Sequence, residues 1–333
     1  MPCSKSADIY ISTAPYGAGA SPALGLLEEA GVSFRQNKLG RKHTPEEVLE
    51  NTRGCTALIA GTEDLSLLVE ESSSLQMISR VGIGLDGVPL TRCKEKGIVV
   101  TWTPDAVTAA VAELTLGFII SCLRSISAND AEIRQGNWRR CINNGISDST
   151  IGLVGFGRIG KAVVNLLMPF CPKKILVTDI RPISDEIRKH SESGISISEG
   201  SFDQIIAESD IVSLHVPLWR DTKNLIGLPE LLKMKPGSFL INTSRGGIVD
   251  ESALYQTLKS GPLGGAALDV FGNEPYDGPL TDCENVILTP HSGSCSLSAR
   301  VKMEMEAAQE VVRFLNGEPL IQEVPDEEYK YFL

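Results

Sequence analysis

Short apolar, β-branched runs alternate with helical stretches along most of this chain. In the first hundred residues the runs fall at 9–12, 32–35, 57–60, 77–80 and 98–101, and segments such as 45–51 and 89–96 between them carry helical spacing. Alternation of this kind predicts parallel βαβ units with helices on both faces of a sheet. A second series follows at 151–154, 175–178, 211–215, 239–242, 266–269 and 286–288. Several of these runs are apolar without strict alternation, the pattern of strands buried on both faces. Two separate series predict an α/β chain with two doubly wound parallel-sheet domains.

Between the series lies a long helical stretch, 105–135, after Thr103-Pro104, with Val107, Val111, Leu114 and Phe118 at helical spacing. This predicts a core-packed helix with an added role at a subunit interface, since a helix apolar on more than one side needs more than one partner. A last helical stretch, 296–316, follows the second series. The chain shows no repeat and no Gly/Ser linker, so helices are expected to join the domains.

A length of 333 residues exceeds one ordinary core and agrees with two domains. The formal net charge of −11 argues against nucleic acid or an anionic membrane as partner. An anionic substrate would need a local cluster of positive groups. The N-terminal MPCSKSADIYIST has no apolar h-region and does not read as a secretory signal. The most apolar run, 114–122, is far short of the roughly 20 residues of a membrane span and is followed by Arg124. Eight cysteines (Cys3, Cys55, Cys93, Cys122, Cys141, Cys171, Cys283, Cys295) show no C-x-x-C and no cluster with histidine. They predict reduced thiols in a cytoplasmic protein and no metal site.

The first chemical signal is Gly155-Phe156-Gly157-Arg158-Ile159-Gly160, between the run 151–154 and a helix over 161–168. G-x-G-x-x-G alone is weak, but the strand-to-helix context is what a dinucleotide fingerprint requires. The first glycine permits a tight turn, the second lets backbone approach a diphosphate, and the third lets helix and strand pack closely. The next strand ends at Asp179, where a carboxylate can bond the adenosine ribose hydroxyls and repel a 2′-phosphate. NAD is therefore favoured over NADP, with Arg181 placed to soften that preference.

Three further residues each follow a predicted strand: Arg245 in INTSRGG, Glu274 in DVFGNEP and His291 in LTPHSG. Groups beyond the carboxyl ends of such strands line the ligand crevice. Hydride transfer at an alcohol or ketone needs a proton acceptor or donor, and histidine as a residue type serves both. A carboxylate can orient that ring, and an arginine fork can hold a substrate carboxylate.

With these motifs in order, the chain resembles the D-2-hydroxyacid dehydrogenase family, which includes 3-phosphoglycerate, glycerate and D-lactate dehydrogenases. The markers are RVGIGLD (80–86), TPDAVTAAVAE (103–113), GLVGFGRIG (152–160), SLHVPL (213–218), INTSRGGIVDESAL (241–254), AALDVFGNEP (266–275) and NVILTPHSG (285–293). The resemblance implies that Arg245 binds substrate, Glu274 partners the histidine and His291 is the acid/base. It implies that backbone around Val81 and Gly82 receives the substrate carboxylate. Around NAD it implies Gly155, Gly157, Arg158, Ile159, Gly160, Asp179, His215, Pro217, Thr222, Thr243, Asp269, His291 and Gly293. It also implies a small D-2-hydroxy or 2-keto acid as substrate and a homodimer formed through the nucleotide domain. The implied architecture is a Rossmann domain, 103–293, inserted into a flavodoxin-like substrate domain of 1–102 plus 294–333.

Departures from the family pattern bear on substrate. Gly87 and Pro89 replace a usual Asn and Asp, Trp219 stands where a small residue is common, and Ser292 follows His291. Ala60-Gly61-Thr62-Glu63 lacks the arginine that phosphoglycerate-specific members often present, which weighs against a phosphorylated substrate. The chain stops at Tyr331-Phe332-Leu333, soon after its closing helix, so no added sensor domain is expected. Two alternatives stay open at this point: an NAD-sensing, corepressor-like interaction protein, and a dehydrogenase of another small anion of the formate or phosphite type.

Overall fold

The structure, a computed structural model, describes residues 8–17, 21–140, 142–191 and 196–330. Cys3, Cys141, the first seven residues of the N-terminal segment and residues 331–333 lie outside the described residues.

The chain divides into two compact units, Met1–Val107 with Ser294–Leu333, and Thr108–Gly293. In the first unit five parallel strands, β1 (Ile9–Ile11), β2 (Phe34–Gln36), β3 (Ala57–Ala60), β4 (Met77–Arg80) and β5 (Val99–Thr101), run in the order β2-β1-β3-β4-β5. This is the flavodoxin-like winding, with its reversal between β1 and β3. β1, β3 and β4 are buried along their whole length, so they read as apolar runs. The helix Pro45–Thr52 starts where the sequence supplies both halves of a capping box: Glu47 N–H donates to Thr44 Oγ1, and Thr44 N–H to the Glu47 carboxylate. The closing helix, Leu297–Asn316, is capped by Ser296, ends at Gly317 in the left-handed region, and accepts the Ser79 hydroxyl at Ala307 O (3.0 Å).

The second unit holds β6 (Thr150–Val154), β7 (Lys174–Thr178), β8 (Ile197–Glu199), β9 (Ile211–Leu214), β10 (Phe239–Asn242), β11 (Gly265–Leu268) and β12 (Val286–Leu288). They form one parallel sheet in the order β12-β11-β10-β9-β6-β7-β8. This is the Rossmann winding extended by one edge strand, and its switch point lies between β6 and β9. Its inner strands β6, β9 and β11 are buried along their whole length. Leu176, Val212, Leu240 and Leu268 pack into one core cluster, and Ile151, Leu153, Val177 and Ile241 into another beneath the helices Thr108–Leu123 and Arg158–Leu167.

The single helix expected over 105–135 is two. Thr108–Leu123 lies in the core, whereas Ile126–Arg134 buries no residue, and the two are bent by 60°. Burial stops with Leu123, and no residue of Ile126–Arg134 is held in the core. Ser125 turns into the left-handed region (φ 50°), and the Asn129 side chain donates to the Arg124 carbonyl left open at the break (3.2 Å). No single helix among the described residues is long and apolar enough to cross a membrane.

Candidate active site and dinucleotide cradle

Every candidate residue of the second unit other than Arg158, Ile159 and Gly160, which form the first turn of the helix after β6, lies in a segment that follows the carboxyl end of a strand or at that end. The glycine turn follows β6, Asp179 follows β7, His215 follows β9, Arg245 follows β10, Glu274 follows β11 and His291 follows β12. Because β12, β11 and β10 are neighbours, the last three residues share one side of the sheet, while the glycine turn and Asp179 stand on the other side of β9.

Two glycines of the turn after β6, Gly155 and Gly160, leave no room for a Cβ. Gly155 has φ 100°, and a Cβ there would come within 2.4 Å of the His215 carbonyl oxygen. A Cβ on Gly160 would meet Gly155 O at 2.3 Å, which is how the helix Arg158–Leu167 packs against the strand it follows. Gly157 is the N-cap of that ten-residue helix, with exposed Arg158 and half-buried Ile159 as its first residues. Backbone N–H groups and the positive end of the helix therefore form a bare cradle suited to a diphosphate.

Asp179 accepts the Phe156 N–H (2.8 Å), tying β7 to the glycine turn. It also accepts the Arg181 N–H and Nε, each at 3.0 Å, and Arg181 Nη2 at 3.1 Å. Burial pushes this carboxyl upward, but the Arg181 side chain, its N–H and the Phe156 N–H outweigh burial and hold it below the usual carboxylate range. The acidic group expected at the adenosine ribose is thus present and ionised, with an arginine laid across it.

His215 bonds Ser213 Oγ through Nε2 (3.0 Å), and desolvation lowers its pKa to about 4, so the ring is neutral near pH 7. The turn beyond it is closed by Thr222, whose hydroxyl donates to the Pro217 carbonyl (2.6 Å) and accepts the Trp219 N–H (2.9 Å). Thr243 is buried and shares a 2.9 Å hydroxyl contact with Thr115 of the helix Thr108–Leu123.

At the other side of the sheet, His291 Nδ1 stands 2.8 Å from Glu274 Oε2, and Glu274 Oε1 accepts the Phe271 N–H at 3.1 Å. The His291 backbone is left-handed (φ 52°), a conformation histidine adopts more readily than most residues but that still needs external support. Asp269 supplies it. The carboxylate, on a residue 1% exposed, accepts the Ser292 N–H (2.8 Å), the Gly293 N–H (2.7 Å) and the hydroxyls of Ser292 and Thr289, while the Asp269 carbonyl accepts the His291 N–H at 2.8 Å.

Arg245 is half-buried, and its Nη1 donates to the Ser244 carbonyl (2.7 Å). Its own carbonyl accepts from Asn242 Nδ2 (2.9 Å), and Asn242 Oδ1 also accepts the Ser244 N–H and hydroxyl. The following Gly246 is in such close contact with the next loop that a Cβ would fall 1.9 Å from Phe271 O. The loops bearing Arg245 and Glu274 are therefore packed backbone to backbone.

Val81 and Gly82 belong to the first unit. The Val81 N–H donates to Ala60 O (2.9 Å), and the Gly82 N–H donates to Thr103 Oγ1 (2.8 Å) and Arg80 O (3.0 Å), with the Arg80 guanidinium against Gly82. Asn242 and Gly246 escaped the sequence reading. Only a three-dimensional arrangement shows that one holds the arginine turn and the other admits its neighbour.

The sequence of 116–293 matches the model of the D-isomer specific 2-hydroxyacid dehydrogenase NAD binding domain. The chain is 38% identical over 308 residues to the glyoxylate reductase of Thermofilum pendens, covering 89% of each. It is 35% identical over 254 residues to the hydroxypyruvate reductase of Thermotoga maritima, covering 74% of this chain and 80% of that one. Its fold superposes on a D-lactate dehydrogenase of Aquifex aeolicus complexed with NAD and lactic acid, with a TM-score of 0.80, 25% identity and coverage of 93% and 96%. With a cradle fitted to NAD and these matches, the chain belongs to the D-isomer-specific 2-hydroxyacid dehydrogenases, the NAD-dependent oxidoreductases of that acid class.

Proposed function

We propose that this enzyme interconverts a small 2-keto acid and the D-2-hydroxy acid, with His291 as proton donor and acceptor, Glu274 as its orienting partner and Arg245 as the anchor of the substrate carboxylate. The observation that carries this reading is the 2.8 Å contact between His291 Nδ1 and Glu274 Oε2.

The nicotinamide, when bound, gives hydride to C2 of the keto acid or takes it from the hydroxy acid. In the reducing direction a protonated His291, with Nδ1 bonded to the Glu274 carboxylate, would pass its Nε2 proton to the carbonyl oxygen of the keto acid. In the oxidising direction the neutral ring takes that proton back. Glu274 fixes the tautomer, since a proton on Nδ1 faces the carboxylate and Nε2 is left to exchange. The guanidinium of Arg245 offers a fork of donors that matches a carboxylate and polarises the adjoining carbonyl. The cofactor would rest on Gly155, Gly157, Arg158, Ile159 and Gly160, with Asp179 at its ribose. His215, Pro217, Thr222, Thr243, Asp269 and Gly293 complete its surroundings, and backbone at Val81 and Gly82 serves the substrate.

The names of the two relatives favour glyoxylate and hydroxypyruvate as the substrate class. Loss of NADH absorbance with purified enzyme and a panel of 2-keto acids tests the reading. A panel that leaves NADH unconsumed refutes it.

The same reading makes the protein a cytoplasmic homodimer joined through the nucleotide domain. In support, Ile126, Ile133 and Trp138, which lie within thirteen residues of one another, are 49%, 53% and 85% exposed, and Cys55, Cys93, Cys122, Cys171 and Cys283 are free thiols. Light scattering that returns a monomer mass would refute the dimer.

A further inference from the structure

The proposed chemistry needs the Glu274 carboxylate at one place beside the His291 ring, yet the turn that carries it is exposed from 272 to 275. A turn with so little buried area keeps its place through specific ties. Some of these are internal. The Phe271 N–H donates to Glu274 Oε1 (3.1 Å), and the Phe271 ring stacks on Tyr276 with centroids 4.3 Å apart. The Tyr276 hydroxyl accepts the Leu280 N–H (3.2 Å). Such contacts bind the turn to itself and do not fix where it stands.

Half-buried Glu251 supplies a tie from outside. Its Oε1 accepts the Gly272 N–H at 2.7 Å. Glu251 is the first residue of the helix Glu251–Ser260, into which the Arg245 turn leads. Asp250 already caps that helix by accepting the Ala253 N–H (3.0 Å), so the cap does not need Glu251. Gly246 packs against the same Phe271–Gly272 peptide, where a Cβ would lie 1.9 Å from Phe271 O and 2.6 Å from Gly272 N. One peptide is therefore pressed by backbone and gripped by a carboxylate, and an ionised acceptor makes the grip stronger than a neutral one.

We propose that Glu251 is a positioning residue for the reaction, clasping the Phe271–Gly272 peptide and so setting where Glu274 meets His291. The inference rests on the roles given to His291 and Glu274 above. The path is short. Glu251 holds the Gly272 N–H, the neighbouring Phe271 N–H holds Glu274 Oε1, and Glu274 Oε2 stands 2.8 Å from His291 Nδ1. A turn released at Gly272 lets that last contact lengthen, and small misplacements of reacting groups cost rate.

Two variants separate reach from charge. Glu251→Gln keeps the reach and an acceptor oxygen without the charge, whereas Glu251→Asp keeps the charge at the helix start and falls one methylene short of Gly272. With NADH and the 2-keto acid that the wild type reduces fastest, Glu251→Asp should lose about tenfold or more in kcat. Glu251→Gln should lose less than about threefold, and the NADH dissociation constant should hold in both. The solvent deuterium isotope effect on kcat should rise in Glu251→Asp, because proton delivery by His291 becomes slower; a loss of folded enzyme lowers the rate and leaves that effect unmoved. Near wild-type turnover in Glu251→Asp, an unmoved isotope effect there, or a loss in Glu251→Gln as large as in Glu251→Asp overturns the proposal and leaves Glu251 a charge at a helix start. A wild type that reduces no 2-keto acid instead overturns the 2-keto acid reading, and the positioning role with it.

Discussion

The two ends of the second sheet solve different problems with different materials. Beyond β6 the cradle is made of backbone: three glycines and the start of a helix, with Asp179 as the one side chain that ties the turn down. Beyond β10, β11 and β12 the proposed reaction centre depends on side chains: Asn242 and Asp269 fix the backbone of the Arg245 and His291 turns, and Glu274 meets the His291 ring. A ligand whose recognised part is a constant diphosphate can be met by a fixed turn. Proton transfer needs one ring at one angle, and that demands a supporting shell.

Substitutions at the two ends should separate turnover from cofactor affinity. The largest effect is expected for His291→Ala, which should lower kcat by roughly 10²–10⁴-fold with little change in the NADH dissociation constant; equal losses in both would abolish the distinction. Next comes Gly246→Ala, whose methyl cannot fit against Phe271 O and must push the Arg245 and Glu274 turns apart. We expect kcat to drop about tenfold or more, as small misplacements of reacting groups do, again without weakened NADH binding by fluorescence titration. At the cradle, Arg181→Ala uncovers the Asp179 carboxylate and should widen the preference for NADH over NADPH by about tenfold, roughly 1.4 kcal/mol, read from the two dissociation constants. An unchanged preference would mean that Arg181 does not shield Asp179 from the phosphate.

The smallest effect concerns His215. Its folded pKa is depressed to about 4, so below the unfolded value near 6.5 the unfolded chain binds a proton that the native ring refuses. Stability from this group is complete above pH 6.5 and is lost as pH falls toward 4. Urea midpoints should decline through that window and decline less steeply in His215→Gln; parallel slopes would remove His215 as the cause.

The same contrast explains what the chain's sequence revealed. The cradle was legible because its parts are contiguous: glycines at fixed spacing between a strand and a helix. The proposed reaction centre was legible only as three residues after three strands, since the pairing of His291 with Glu274 spans 17 positions and depends on β11 and β12 lying side by side. Gly246 and Asn242 were invisible because their roles exist only in the packed loops. Strands buried on both faces announced themselves as apolar runs, whereas β8, at the sheet's edge and with the pattern Ile197-Ser198-Glu199, did not. The break at Ser125 escaped for a related reason: helical spacing persists across it, and only the end of burial at Leu123 marks the bend.

A cradle of amide groups has nothing to titrate, and the ion-paired Asp179 stays anionic well into the acid range. Grip on the coenzyme should therefore hold steady while acidity varies around neutrality, and the proton balance of the surroundings should reach this enzyme through the rate at which it turns over.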